Sequence, residues 1–277
     1  KKSINIIDYK NIENKLLKKN SINLIDINYK FERNQFNKIS YKSKKFITKS
    51  FEIGLNLVKN GLTNKLINGP ISKKKFLNKK YPGITEYIAK KTNTKNIAML
   101  IYNKNLSVCP LTTHLPIKYV AKKINKKLIY NKVSILQKFY LKFFNKKPRI
   151  GILGLNPHCE SISNFNEDEK IIKPAILNMK KNGYLIEGPI PADTAFLKNN
   201  RKNFDIIIGM YHDQVLTPIK TLHEYDAINI TLGLPFIRIS PDHGPNEYML
   251  GKNKSNPLSL IKAISFLDKN WLEQKKV

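Results

Sequence analysis

The sequence predicts an α/β fold, a mostly parallel sheet with helices on both faces. Three observations carry that expectation. Short apolar runs alternate with helix-period stretches along much of the chain, the order that builds parallel sheets. The 277 residues, 41% hydrophobic and 10% aromatic, suffice for one large α/β domain or two lobes sharing a sheet. No internal repeat or low-complexity linker breaks the pattern, and the one visible boundary is a composition shift near Lys65.

Each element rests on a local signal. Residues 1 to about 45 are polar, Lys/Asn-rich and weakly patterned, with one candidate strand at Ile22–Ile27. From Phe46 to Lys59, the residues Phe51, Leu55 and Val58 recur at helical spacing, and Asn60-Gly61 supplies a stop. Lys65–Asn68 reads as a short strand meeting Gly69-Pro70, followed by a basic helix over Ser72–Lys80 and another over Thr85–Lys91. Asn96–Tyr102 and Leu106–His114 read as strands joined by an Asn/Lys turn. Pro116 opens a helix, and a longer one runs to about Phe144. Arg149–His158 is a strand. Asn166–Gly183 is a helix with acids in its first turn, lysines in its last and Gly183 as its stop. Leu185–Thr194 is a short strand and loop, Phe204–His212 a strand, and Gln214–Leu222 a short helix. Ala227–Leu234 and Phe236–His243 are two more strands. Pro257 opens a final helix with Leu260, Ile264, Leu267 and Trp271 on one face.

Composition excludes several classes. No apolar run reaches the ~18 residues of a membrane span. The opening KKSINIIDYK lacks both an initiator Met and the uncharged core of a signal peptide, so a processed or truncated chain is expected. Cys109 and Cys159 form no CxxC pair, which predicts two free thiols and a cytoplasmic location. The formal charge is +30, from 50 basic against 20 acidic residues. Nucleic-acid readers favour the planar fork of Arg, yet Arg33, Arg149, Arg201 and Arg238 are the only arginines. The charge therefore reads as compositional drift with non-specific polyanion affinity, and no specific nucleic acid is expected.

Four of the five histidines fall at the carboxyl ends of predicted strands: His114, His158, His212 and His243. Ligands of open α/β sheets bind there, so imidazoles far apart in sequence can converge. A lone histidine at such a position is ordinarily a hydrogen-bonded loop residue. Four together point to a three-histidine metal site, although their spacing matches no local metal motif. Asp213 is placed to orient a ligand histidine or to cap a helix. Asp193 is a base, an acid beside the metal, or again a cap. Lys220 and Arg238 bring cations to the same edge. Arg238 sits inside the apolar run FIRIS, where an unpaired charge is costly, so it meets an internal carboxylate or a substrate phosphate. Thr85, after Gly83, donates to an anion at a helix start or caps that helix. Neither GxGxxG nor GxxxxGK[ST] occurs, against an ordinary Rossmann dehydrogenase and a P-loop nucleotidase.

Eight ordered motifs carry a resemblance: NGPISK (Asn68–Lys73), GITEYIA (Gly83–Ala89), TTHLP (Thr112–Pro116), GLNPH (Gly154–His158), GPIPADT (Gly188–Thr194), MYHDQ (Met210–Gln214), NITLGLPFIR (Asn229–Arg238) and DHG (Asp242–Gly244). Together they resemble the 4-hydroxythreonine-4-phosphate dehydrogenase (PdxA) family of vitamin B6 biosynthesis, from about Lys65 to the C-terminus. The tail from His243 to Pro257 is also similar to the adenine-side segment of isocitrate and isopropylmalate dehydrogenases.

The resemblance implies an isocitrate/isopropylmalate dehydrogenase-like fold of two α/β/α lobes. Residues 1–83 with 232–277 would form the cofactor-side lobe, its N-terminal part incomplete, and 84–231 the metal, substrate and dimerisation lobe. It implies His114, His158 and His212 as ligands of a divalent metal (Zn, Mg or Co) shared across a homodimer. It implies Thr85, Lys220, Asn229 and Arg238 as substrate contacts, Asp193, Asp213 and Lys220 as catalytic groups, and His243, Gly244 and Asn246 beside NAD or NADP. The implied reaction is oxidation with decarboxylation of 4-phosphohydroxy-L-threonine. Three departures stand against this pattern. Ile84 replaces the family's histidine, an N-terminal PAGIGPE-like segment is not found, and Val215 and Pro245-Asn246 replace the residues usual after HDQ and DHG. They leave open a related substrate, a threonate or erythronate phosphate, or a catalytically impaired paralogue.

Overall fold

A computed structural model of the chain describes residues 3–9, 12, 16–29, 43–72, 76–77, 80–249 and 251–274. Two short parallel strands, β1 (Ser3–Ile7) and β2 (Ser21–Ile25), form a sheet of their own. The first lies in residues with no strand signal, and the second starts one residue before the predicted run. Most of the predicted helix over 72–80 lies outside the described residues.

Eight further strands make the main sheet: β3 (Lys65–Ile67), β4 (Ala98–Tyr102), β5 (Ser107–Pro110), β6 (Ile150–Leu153), β7 (Ile186–Ile190), β8 (Ile206–Gly209), β9 (Ile228–Leu232) and β10 (Ile237–Pro241). Their order is β3-β10-β9-β4-β5-β8-β6-β7. The β5-β8-β6-β7 block is parallel, as is the β3–β10 pair. The three central pairings, β10–β9, β9–β4 and β4–β5, are antiparallel. Short links account for two of these three pairings, β4–β5 and β9–β10. The links 103–106 and 233–236 are too short for a parallel crossover, which needs about a dozen residues or more.

The strands alternate cleanly between two cores. Ala98, Leu100, Ile206, Ile208, Ile228 and Ile230 face one apolar cluster, covered by α3 (Lys126–Phe144), α4 (Lys173–Lys181) and α6 (Leu258–Gln274). Met99, Ile101 and Ile207 face the other, covered by α5 (His212–His223) through Val215 and Ile219. A third cluster packs α1 (Lys44–Lys59) and α2 (Ile84–Lys91) around Phe51, Tyr87, Ile88 and Phe236. The face of α6 differs from the expected one. Ala263, Phe266 and Leu267 are buried, whereas Leu260 and Ile264 are exposed at 41% and 47%. The Trp271 side chain lies outside the described residues.

The predicted helix over 166–183 starts with a π-helical turn, Asp168–Ile172, before α4. Pro174 there has no N–H to donate back along the helix. Helix α5 begins earlier than expected, at His212, because β8 already ends at Gly209. A Cβ at Gly209 would stand 2.5 Å from Val215 Cγ1, so this strand-to-helix turn requires glycine. Cys109 is buried, Cys159 half-buried, and both are free thiols. Among the described residues no helix is long and apolar enough to cross a membrane.

Candidate functional site

A cavity of about 270 Å³ opens on the sheet face between α5 and α2. Strand pairing supplies its floor. β9 and β10 set Arg238 opposite Thr231 and Ser240 opposite Asn229. Ile228 and Ile230 turn to the opposite core, so Asn229 between them faces the cavity.

Arg238 is 2% exposed. Its Nε donates to Asn68 Oδ1 at 2.7 Å, and Nη1 donates to Thr231 Oγ1 at 2.9 Å and Thr85 Oγ1 at 3.4 Å. All three acceptors are neutral. Among the described residues no carboxylate makes an ion pair with it, and Glu86 is the internal carboxylate whose charge reaches it. Burial pulls the guanidinium down to about 10, with Glu86 opposing, and it stays cationic at neutral pH. Asn229 Oδ1 is buried in the same cavity without a hydrogen-bond partner. Lys220 also lines it, with Nζ 2.6 Å from Asp242 Oδ2 and a further bond to the Asp242 carbonyl. Burial raises the Asp242 carboxyl above its ordinary value, with Lys220 acting against the shift.

His114 and His212 meet at the cavity, ring centroids 5.8 Å apart. Neither lies on a strand: His114 follows β5 in a left-handed conformation (φ 37°), and His212 opens α5. Asp213 Oδ1 is 2.6 Å from His212 Nδ1, the contact an orienting acid makes, and Tyr211 rather than Asp213 is the N-cap of α5. Glu86, in the first turn of α2, accepts from Thr113 Oγ1 at 2.9 Å and faces His114 Nδ1 at 3.4 Å. Burial would raise its carboxyl. His114, the backbone of Glu86 itself and Thr113 outweigh burial and hold it at about 2.

His158 does not join them. No group of three His, Cys, Asp or Glu side chains able to hold a metal occurs among the described residues. His158 sits in the turn Pro157–Cys159, left-handed at φ 55°, as is Cys159 at 63°. Its loop is tightly built. The fully buried Asp168 accepts from the Leu155 and Asn156 backbone at 2.7 and 3.1 Å and from Asn156 Nδ2 at 3.0 Å. Gln214 Nε2 donates to Gly154 O at 2.8 Å while its Oε1 accepts from Met210 N at 2.6 Å. Asp193 is exposed in the short helix Ala192–Ala195 and does not line the cavity. It lies instead near the His158 loop. Burial there pushes the Cys159 thiol up to about 11, with Asp168 and more weakly Asp193 adding.

His243, Gly244 and Asn246 line a second, open cleft of about 1180 Å³, which shares Pro70, His243 and Gly244 with the small cavity. Ile84 lines the small cavity while packing in the third apolar cluster. Sequence reasoning missed Glu86, Asp168, Gln214 and Asp242. The only local signal at the first two, an acid in a helix's first turn, has a sufficient explanation in the helix dipole.

Fold and site together define a class: an α/β protein whose cleft holds a buried arginine beside two imidazoles that each face a carboxylate. Comparison makes the class particular. Residues 1–267 match the family model described as "Pyridoxal phosphate biosynthetic protein PdxA", and the chain belongs to that family. It is 45% identical over 216 residues to a 4-hydroxythreonine-4-phosphate dehydrogenase of Sulfurihydrogenibium sp. (strain YO3AOP1), covering 76% of this chain and 66% of that protein. It is 36% identical over 185 residues to a D-threonate 4-phosphate dehydrogenase of Pectobacterium atrosepticum, covering 66% and 57% respectively. The chain thus spans 66% and 57% of the length of these two curated relatives. The crystal structure of 4-hydroxythreonine-4-phosphate dehydrogenase from Klebsiella pneumoniae superposes with a TM-score of 0.76 at 28% identity, covering 97% of this chain and 83% of that one.

Proposed function

We propose that this chain works in a metal-dependent, NAD(P)-linked dehydrogenase that oxidises and decarboxylates 4-phosphohydroxy-L-threonine on the way to pyridoxal 5'-phosphate. One observation carries the reading: Arg238 is a buried cation with only neutral partners, in a small cavity shared with two imidazoles. A buried charge of this kind calls for an anion, and a substrate phosphate or carboxylate provides one.

The residues also fit a divalent cation. His114 and His212 supply two nitrogen donors from one chain, and the Asp213–His212 pair is the carboxylate–histidine arrangement usual behind metal ligands. His158, on its separate strained loop, is proposed to reach the site of a second copy, completing a three-histidine set across a homodimer. The exposed Ile162 and Phe165 beside it are apolar surface that such a dimer would cover. In this reading residues 84–231 form the metal, substrate and dimer lobe, and 1–83 with 232–277 the cofactor lobe.

When bound, the cation supplies Lewis-acid charge and NAD or NADP the hydride acceptor. The chain does the rest. Arg238, Thr85 and Asn229 hold and orient the anionic substrate. Lys220, kept in place by Asp242, is the cation nearest to proton transfer, with Asp213 steadying His212. Asp193 takes part only by way of the His158 loop. His243, Gly244 and Asn246 line the cleft proposed for the nicotinamide cofactor.

A second reading has its own observation. Ile84 places an apolar side chain against the cavity beside Thr85, which suits a substrate without the amino group, a threonate or erythronate phosphate. A screen of these acids on Zn2+-, Mg2+- or Co2+-loaded protein, following absorbance of the reduced nicotinamide, separates the two. Turnover of none of them would leave a catalytically impaired paralogue.

A further inference from the structure

Glu86 faces His114 from the first turn of α2, and nothing in the reaction above uses it. We propose that Glu86 is a positioning residue: it holds the Nδ1–H of His114, leaving that ring's lone pair on Nε2 for a divalent cation. This rests on the metal reading.

Three observations support it. The carboxylate is anchored next to its target, since Thr113, which donates to Glu86 Oε1 at 2.9 Å, directly precedes His114. His114 Nδ1 stands 3.4 Å from the same oxygen. Space has been left for the contact. A Cβ at Gly83 would fall 2.5 Å from His114 Cε1 and 2.6 Å from Glu86 Oε2, so only glycine lets the ring and carboxylate pack together.

Glu86 Oε2 is buried without a hydrogen-bond partner. A carboxylate kept only for structure would find donors for both oxygens, because an unsatisfied buried acceptor is costly. Keeping the charge there makes sense if its task is to act on His114. The other imidazole follows the same plan, with Asp213 at Nδ1 of His212. Both rings would then present the same nitrogen, as carboxylate–histidine–metal arrangements do.

The test uses the full chain, with Zn2+ alone as the probe. Long-range 1H–15N spectra of wild-type protein should show His114 protonated on Nδ1. Calorimetry should show Glu86→Ala binding Zn2+ roughly 10–100-fold more weakly, with the Nδ1–H preference lost. Glu86→Gln, whose amide oxygen still accepts, should keep the tautomer and lose less affinity. A wild-type His114 protonated on Nε2 overturns the proposal even if Glu86→Ala fails to fold. So does a folded Glu86→Ala that binds Zn2+ as tightly as wild type. Wild-type protein that binds no Zn2+ sinks the metal reading instead, and the tautomer measurement still reports on the Glu86–His114 contact.

Discussion

Asn68 accepts a 2.7 Å hydrogen bond from Nε of Arg238 across a separation of 170 residues. It brings the loop after β3 onto the strand that carries the cavity's buried cation, and it does so with a neutral acceptor. Arg238 is thereby fixed in direction without being neutralised, which is what an anion-binding group requires.

Replacing Arg238 should therefore separate binding from stability. Arg238→Met removes a buried charge that has no carboxylate partner. Its stability should fall only modestly, by about 1–3 kcal/mol, because Asn68 Oδ1 loses its donor, while the Thr85 and Thr231 hydroxyls can turn to each other. Phosphate affinity, measured by calorimetry, should fall at least tenfold. A large drop in unfolding temperature would mean that the guanidinium is structural.

The proposed sharing of histidines predicts complementation. His158→Ala and His212→Ala should each abolish tight metal binding and turnover. Mixed, unfolded and refolded together, they should regain about a quarter of wild-type activity, because half the dimers are mixed and each carries one intact site. No recovery would place all the ligands in one chain.

Asp168→Ala should damage the His158 loop. It strips two backbone N–H groups, those of Leu155 and Asn156, of their acceptor. At about 1–3 kcal/mol for each unsatisfied buried donor, stability in urea should drop by roughly 2–6 kcal/mol. Sedimentation should show weakened self-association.

Asp205 supplies a pH-dependent term away from the site. Burial would raise its carboxyl, but the Arg149 backbone N–H, Lys146 and the Arg149 side chain together hold it below the ordinary value. A depressed carboxylate stabilises the fold above its unfolded value, about 3.9, and that contribution fades as pH falls through the folded value. Asp205→Asn should therefore cost about 1–2 kcal/mol at pH 7 and progressively less in acid. A pH-independent difference in urea denaturation would refute the assignment.

Local sequence determined which segments are strands and helices from Lys65 onward, because apolar runs, Gly and Pro stops and first-turn acids act over a few residues. It also marked His114, His212, Lys220 and Arg238, through residue type at element ends and a charge inside an apolar run, whereas Asn229 was marked only by the family resemblance. Direction and partnership were decided only in the tertiary structure. The antiparallel centre of the sheet follows from which strands neighbour one another, and the separation of His158 from His114 and His212 from where its loop is tied by Asp168 and Gln214. Glu86 bears only the mark of a first-turn acid and Asp242 only its place in DHG; their meaning lies in contacts with residues distant along the chain, and the periodicity of one segment holds no record of what packs against it.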